Sequence, residues 1–165
     1  MPVPIEQITR LLEELCASGV EFIVIGGAAG VLHGAPVTTM DLDIVHRQTP
    51  ENIAKLLQVL LKLGAYFHPD LAHRRLSPRE GDFAGQGHLN LQTNLGRLDV
   101  LCQLSERQGY DELLPHTEEF PHGDFRLRLL DLPTLIAVKS AVGRPKDRMV
   151  VPILIATLEE RNKRR

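Results

Sequence analysis

The chain is poor in the features that would assign it quickly. It has two cysteines in 165 residues, Cys16 and Cys102, far apart and both in apolar segments. No C-x-x-C pair is present, so a disulfide scaffold and a thiolate zinc site are both disfavoured, and buried free thiols in a reducing compartment are expected. The histidines His68, His73, His88, His116 and His122 show no zinc spacing. No apolar run approaches the ~18 residues of a membrane span, and MPVPIEQITR lacks the basic-then-apolar order of a signal peptide. A cytoplasmic protein with no membrane association is expected. Net charge is also small, at -2, which argues against a surface coated by polyanions but leaves room for a local basic patch. The glycines Gly26, Gly27 and Gly30 do not form G-x-G-x-x-G, so a dinucleotide-binding start is disfavoured. Internal repeats are absent.

What is present suits one globular domain over residues 1–165. Hydrophobic residues make up 43% of the chain and charged residues 24%. The elements alternate between α and β. Ile5, Ile8, Leu11, Leu12 and Leu15 recur at helical spacing over residues 5–17, with Gly19 as a stop. Phe22-Ile23-Val24-Ile25 reads as a buried strand that Gly26-Gly27 breaks, followed by a short helix through residue 33 and a turn at Gly34-Ala35-Pro36. A second strand runs from Asp41 to His46. Thr49 and Pro50 provide an N-cap and a first helical position, and the apolar stripe of Ile53, Leu56, Leu57 and Leu60 ends at Gly64.

Farther on, residues 69–87 are polar and rich in Pro and Gly, which implies a loop with one short strand near Ala72 to Leu76. Leu89 and Leu91, then Leu98 and Val100, alternate with polar residues on either side of Thr93-Asn94-Leu95-Gly96. This spacing predicts a hairpin. A strand over Phe125 to Leu129 precedes a helix from Pro133 to Val142 closed by Gly143. A last helix is expected from Met149 to Glu160, with Pro152 acceptable only in its first turn. The run Arg161-Asn162-Lys163-Arg164-Arg165 reads as a frayed helix end favoured by the helix dipole.

Strand periodicity turns these elements into chemistry. Successive side chains alternate across a strand, so Asp41 and Asp43 share one face while Leu42 and Ile44 share the other. Asp99 stands in the same relation to Leu98 and Val100. A sheet that buries its aliphatic face therefore presents three aspartates together on the opposite one, and their mutual repulsion calls for a divalent metal. Backbone N–H groups at Gly26-Gly27 are suited to phosphate oxygens. A hairpin turn centred on Asn94-Leu95 sets Asn90 across from Asp99, where it can orient that carboxylate. His33, beside Gly34, reads as a hydrogen-bonding or packing residue and not as a ligand.

The order strand, Gly-Gly, short helix, turn, Asp-x-Asp strand, helix, and later strand with a third aspartate resembles the minimal nucleotidyltransferases of the DNA polymerase β-like superfamily. The nearer likeness is to bacterial AbiEii-type nucleotidyltransferases, carried by Gly26, Gly27, Ala29, His33, Gly34, Thr39, Asp41, Leu42, Asp43 and Asp99. It extends to Lys139, Gly143, Arg144, Lys146 and Asp147 near the C-terminus. The chain departs from the pattern at Ala28, where such proteins often have Ser, at Val37 in place of Arg, and at Val150 in place of an acidic residue.

The resemblance implies a nucleotidyltransferase fold of the α/β (α+β) class: a mixed sheet with helices packed on one face and the acidic site on the other. It further implies transfer of a nucleoside monophosphate from a nucleoside triphosphate to a hydroxyl, with release of pyrophosphate. Asp41, Asp43 and Asp99 would hold Mg²⁺, two ions in the usual arrangement and Mn²⁺ as a substitute. Asp99 would act as base, and Gly26, Gly27, Ala28, Thr39 and Lys139 would meet the substrate. The acceptor is left open between tRNA, a protein hydroxyl and a small molecule such as an aminoglycoside. The AbiEii likeness adds a toxin–antitoxin setting with a partner protein. Ala28 and Val37 motivate the alternative, a degenerate member that binds a nucleotide or a partner without turnover.

Overall fold

The structure, a computed structural model, describes residues 5–70 and 72–165. Its elements in chain order are α1 (Ile5–Ala17), β1 (Phe22–Ile25), α2 (Gly26–Leu32), β2 (Leu42–His46), α3 (Pro50–Lys62), β3 (Tyr66–Phe67), β4 (His88–Thr93), β5 (Gly96–Leu101), α4 (Tyr110–Leu113), β6 (Thr117–His122), β7 (Phe125–Leu130), α5 (Leu132–Val142) and α6 (Pro145–Lys163). Short 3₁₀ turns occupy Glu80–Phe83 and Leu114–His116.

Seven strands form one mixed sheet in the order β3-β4-β5-β2-β1-β7-β6. β1 runs antiparallel to β2 and parallel to β7, and β2 runs parallel to β5. Register partners share a face, so Val24, Ile44, Val100 and Leu89 lie in one row on one side of the sheet. α1 and α3 contact each other, and their Leu11, Leu12, Leu15, Leu56 and Leu60 are all fully buried in the core. His46 belongs to the same side of the sheet as Ile44 and pins the 3₁₀ turn beneath α3: its ring nitrogens lie 3.1 Å from the Leu101 carbonyl and 3.0 Å from that of Phe83.

Local signals account for most boundaries. The Thr49 side chain accepts a hydrogen bond from the Asn52 N–H at 3.3 Å and caps α3, with Pro50 in the first turn. Thr49→Ala is expected to cost about 1 kcal/mol, a drop of a few degrees in thermal midpoint that calorimetry on this single variant will read. Asp131 caps α5 through the Thr134 N–H at 2.8 Å, and Gly143, at φ 64°, ends that helix.

Several sequence-based expectations need correction. No strand forms at Ala72 to Leu76: His73 and Arg75 sit at φ 52°, which an extended chain cannot accommodate, and the edge strand is instead the short β3. Asp41 lies just before β2, which starts at Leu42. Gly26 ends β1 by taking φ +65° and also opens α2, so the glycine pair is the first turn of the helix and not a gap before it. The hairpin partner of β7, strand β6, was not foreseen; it is an edge strand, which is where Pro121 is tolerated. α6 starts at Pro145, so Pro152 lies within it and not in its first turn. Pro152 faces solvent, where water can serve the carbonyl it leaves unpaired. The run from Arg161 is no frayed end: Arg161 donates to Glu118 at 2.9 Å and to His33 at 3.1 Å.

Candidate active site

The site face follows from the register of four neighbouring strands. Ile25 pairs with Asp43, Asp43 with Asp99, and Asp99 with Asn90, so these residues form one row across β1, β2, β5 and β4. Asp41 enters the row from the chain just before β2. Thr39 sets its position, its hydroxyl donating to the Asp41 carbonyl at 2.8 Å. One carboxylate oxygen from each of Asp41, Asp43 and Asp99 lies within 4.8 Å of the others.

Burial and crowding disturb the acids. Burial first, and Asp99 next to it, raise Asp41 from 3.8 to about 6. Burial raises Asp43 further, to about 8, with the Asp41 and Asp99 charges adding to it. The Asp99 Oδ1 is buried and, among the described residues, has no hydrogen-bond partner. A buried carboxylate oxygen without a donor is costly, and the deficit here sits at the centre of three acids. Three hard oxygen ligands at this separation, one of them unsatisfied, fit a divalent cation such as Mg²⁺ or Mn²⁺.

The acids floor a cleft of about 350 Å³. Gly26 and Gly27 border it, and a side chain has no room at either. A Cβ on Gly26 would collide with the Asp43 carboxylate, and one on Gly27 would stand 2.9 Å from the Thr39 hydroxyl. The N–H groups of this first helical turn have no intrahelical acceptor. Val138, Val142 and Val150 form an aliphatic wall, while Lys139, Arg144 and Lys146 bring positive charge. Asp147, only 1% exposed, holds two of those cations: Arg144 Nε donates to it at 2.9 Å, and Lys139 Nζ lies 3.5 Å away. Burial would raise the Asp147 carboxyl, but the Arg144 hydrogen bond and the two positive charges prevail and keep it below the ordinary range.

No protein-family model matches the chain, and no curated protein matches it by sequence. Solved structures do match its fold. The lincomycin-bound lincosamide antibiotic adenylyltransferase LnuA superposes with a TM-score of 0.65 at 15% identity, covering 95% of this chain and 99% of its own. A putative nucleotidyltransferase from Thermotoga maritima gives 0.57 at 14% identity, covering 98% and 93%. The antibiotic-resistance factor ANT(2'')-Ia gives 0.54 at 14% identity, covering 96% and 92%. The chain has the nucleotidyltransferase fold.

Within that fold the expected residues are distributed unevenly. Asp41, Asp43, Asp99, Gly26, Gly27, Thr39 and Lys139 all line the cleft. Ala28 does not: it is 1% exposed and packs in the core. Asn90 lies opposite Asp99 as its register requires, but its side chain is exposed and makes no hydrogen bond to that carboxylate among the described residues. His33 uses both ring nitrogens within the protein, Nε2 donating to the Leu130 carbonyl at 2.8 Å and Nδ1 accepting from Arg161. Cys102 is buried, Cys16 is half-buried, and both thiols are free, with burial pushing each pKa up.

Arg144, Lys146 and His88 also line the cleft, and strand or helix periodicity alone does not place them there. Arg144 and Lys146 belong to the matching Gly-Arg-x-Lys-Asp segment, which was the available signal. His88 reaches the cleft because it pairs with Leu101 on the acidic face.

Proposed function

We propose that this chain is a metal-dependent nucleotidyltransferase that moves a nucleoside monophosphate from a nucleoside triphosphate to an acceptor hydroxyl. The observation that carries this reading is the meeting of Asp41, Asp43 and Asp99 on the floor of a cleft bordered by a glycine turn and by Lys139, Arg144 and Lys146. A divalent ion held by the three aspartates would neutralise triphosphate charge and make the acceptor hydroxyl more acidic.

The chain's own groups supply the rest. The N–H groups of Gly26 and Gly27 and the cations Lys139, Arg144 and Lys146 bind triphosphate oxygens and keep their hold on the pyrophosphate as its charge grows. Thr39 orients Asp41. Asp99 accepts the proton of the acceptor hydroxyl, whose oxygen forms the new bond to the α-phosphorus while the bond from that phosphorus to the bridging oxygen breaks. The aliphatic wall excludes water, which would otherwise compete as acceptor.

For the acceptor, we favour a small hydroxylated molecule. The cleft is compact, and LnuA, an antibiotic adenylyltransferase, is matched over nearly its entire length. The AbiEii-type affinity rests on the motif residues alone, and the toxin–antitoxin setting, the partner protein and the cytoplasmic location rest on it and on composition. Among the described residues no helix is long and apolar enough to cross a membrane.

The second reading, binding without turnover, is motivated by Ala28 and Val37. Incubating the protein with Mg²⁺, each labelled nucleoside triphosphate and panels of hydroxylated small molecules, tRNA and protein separates the two. Metal-dependent transfer of label to any acceptor is expected. Saturable triphosphate binding with no transfer to any acceptor would leave only the binding module.

A further inference from the structure

The cleft has two chemically different ends. At one, the glycine turn opens α2, which contacts α5, and the cations Lys139, Arg144 and Lys146 come from α5 and the start of α6. The other is made by β4, β5 and the segment that follows, from which His88, Leu101 and Leu104 line the cleft. Among the described residues no Lys or Arg lines that second end. In-line displacement gives each end its task, because the attacking hydroxyl and the leaving pyrophosphate stand on opposite sides of the α-phosphorus. With the pyrophosphate held by the glycine turn and the cations, the hydroxyl arrives from the β4–β5 end, where Asp99 stands.

His88 is built into that end by the hairpin register. It pairs with Leu101 while Asn90 pairs with Asp99, so His88 is the diagonal neighbour of Asp99 on the acidic face. Such neighbours are about 7 Å apart and their side chains stand roughly perpendicular to the sheet, which leaves room for a different group of one acceptor on each. Among the described residues no protein group hydrogen-bonds the His88 ring. Burial lowers its pKa from 6.5 against the pull of the Asp41 charge, so at neutral pH one ring nitrogen donates and the other accepts. Either suits a hydroxyl.

The carboxylates exclude one class of acceptor. Among the described residues, those lining the cleft are the three acids of the metal site and Asp147, which Arg144 and Lys139 occupy. None is left for an ammonium group, and a charge taken from water without a partner is costly. Leu101 and Leu104 offer apolar surface instead.

We propose that the β4–β5 end binds the acceptor and that this acceptor is a neutral polyhydroxylated molecule with an apolar portion. One hydroxyl reacts beside Asp99, His88 hydrogen-bonds a second, and the apolar portion packs on Leu101 and Leu104. The reacting oxygen gains the nucleotidyl group, its proton passes to Asp99, and pyrophosphate leaves. This inference rests on the proposed transferase reaction.

Matched acceptors test it. Alkyl glucosides of increasing chain length, and the same glucosides with amino groups in place of two ring hydroxyls, are offered with Mg²⁺ and each labelled nucleoside triphosphate, with tRNA and casein as macromolecular arms. Pyrophosphate release is followed in parallel. The neutral glucosides should be labelled with kcat/KM about tenfold or more above that of their amino counterparts, rising with chain length. His88→Ala should raise the acceptor KM by about tenfold with the triphosphate KM unchanged, and His88→Gln should recover part of the loss. Leu104→Ser should flatten the dependence on chain length. Circular dichroism confirms that each variant is folded. While pyrophosphate release that depends on Asp43 persists, three results each overturn this proposal alone: no label on any neutral glucoside, equal or better labelling of the amino glucosides, tRNA or casein, or an acceptor KM that His88→Ala leaves unchanged. Absence of that release overturns the transferase reaction and this inference with it.

Discussion

Asp43→Asn is expected to reduce nucleotidyl transfer by about 10³-fold or more and, at the same time, to make the metal-free protein more stable at pH 8. Both effects have one cause. The Asp43 carboxylate is buried beside Asp41 and Asp99, and burial first, then these neighbours, raise it from 3.8 to about 8. An acid whose pKa is raised on folding keeps a proton that the unfolded chain has lost, so native stability falls as pH climbs through that interval. For Asp43 the loss begins near 3.8 and is complete above about 8, and Asp41 adds to it between 3.8 and about 6. Asparagine carries no charge and removes the Asp43 contribution.

The thermal midpoint of Asp43→Asn, measured with chelator present, should match the wild type below pH 4 and exceed it by several degrees at pH 8. Label transfer measured on the same preparations should be lost. Retained transfer would remove Asp43 from the reaction. A midpoint difference that does not change with pH would mean that the carboxylate is not strained by its neighbours.

Gly26→Ala is the second large effect. Gly26 ends β1 at φ +65°, a conformation that costs an alanine about 1 kcal/mol or more, and here the added carbon also meets the Asp43 carboxylate. The collision is with the site itself, so the acid must move to admit the methyl group. Transfer should fall by about 10²-fold, since displacements near 1 Å in a reacting constellation have that effect. Gly34→Ala is the matched control. Gly34 has φ +94° with nothing within 4 Å of its would-be side chain, so that change strains the backbone alone. Comparable stability losses with transfer lost only in Gly26→Ala would tie the activity to the close approach of turn and acid. Equal transfer losses would assign them to backbone strain.

The parts of this site visible in the sequence are those set by neighbours along the chain. Alternation in Asp41-Leu42-Asp43-Ile44 placed two acids on one face without knowledge of the sheet. The two-residue turn at Asn94-Leu95 fixed the register that sets Asn90 opposite Asp99. Thr49-Pro50 and Gly143 marked helix ends by their own conformational preferences. Where a residue's role depends on distant packing, the sequence was mute or misleading. Pro121 masked β6, because only the order of the sheet makes it an edge strand. Pro152 obscured the true start of α6 at Pro145. Arg144 and Lys146 reach the cleft only because the chain reverses at Gly143, which periodicity along a single helix does not express. Ala28 was assigned to the substrate by its place after the glycine pair, yet the short helix turns it into the core.

The proposed reaction depends on the three aspartates sharing a divalent cation. Isothermal titration of the chelator-stripped protein with Mn²⁺ at pH 6 and pH 8, in buffers of different ionisation heat, tests this directly. Saturable binding is expected at both values and tighter at pH 8, with protons released at pH 6, because the ion must displace those that Asp41 and Asp43 retain there. Asp43→Asn should abolish the heat. No saturable binding at either pH, or binding that Asp43→Asn leaves unchanged, would contradict the account.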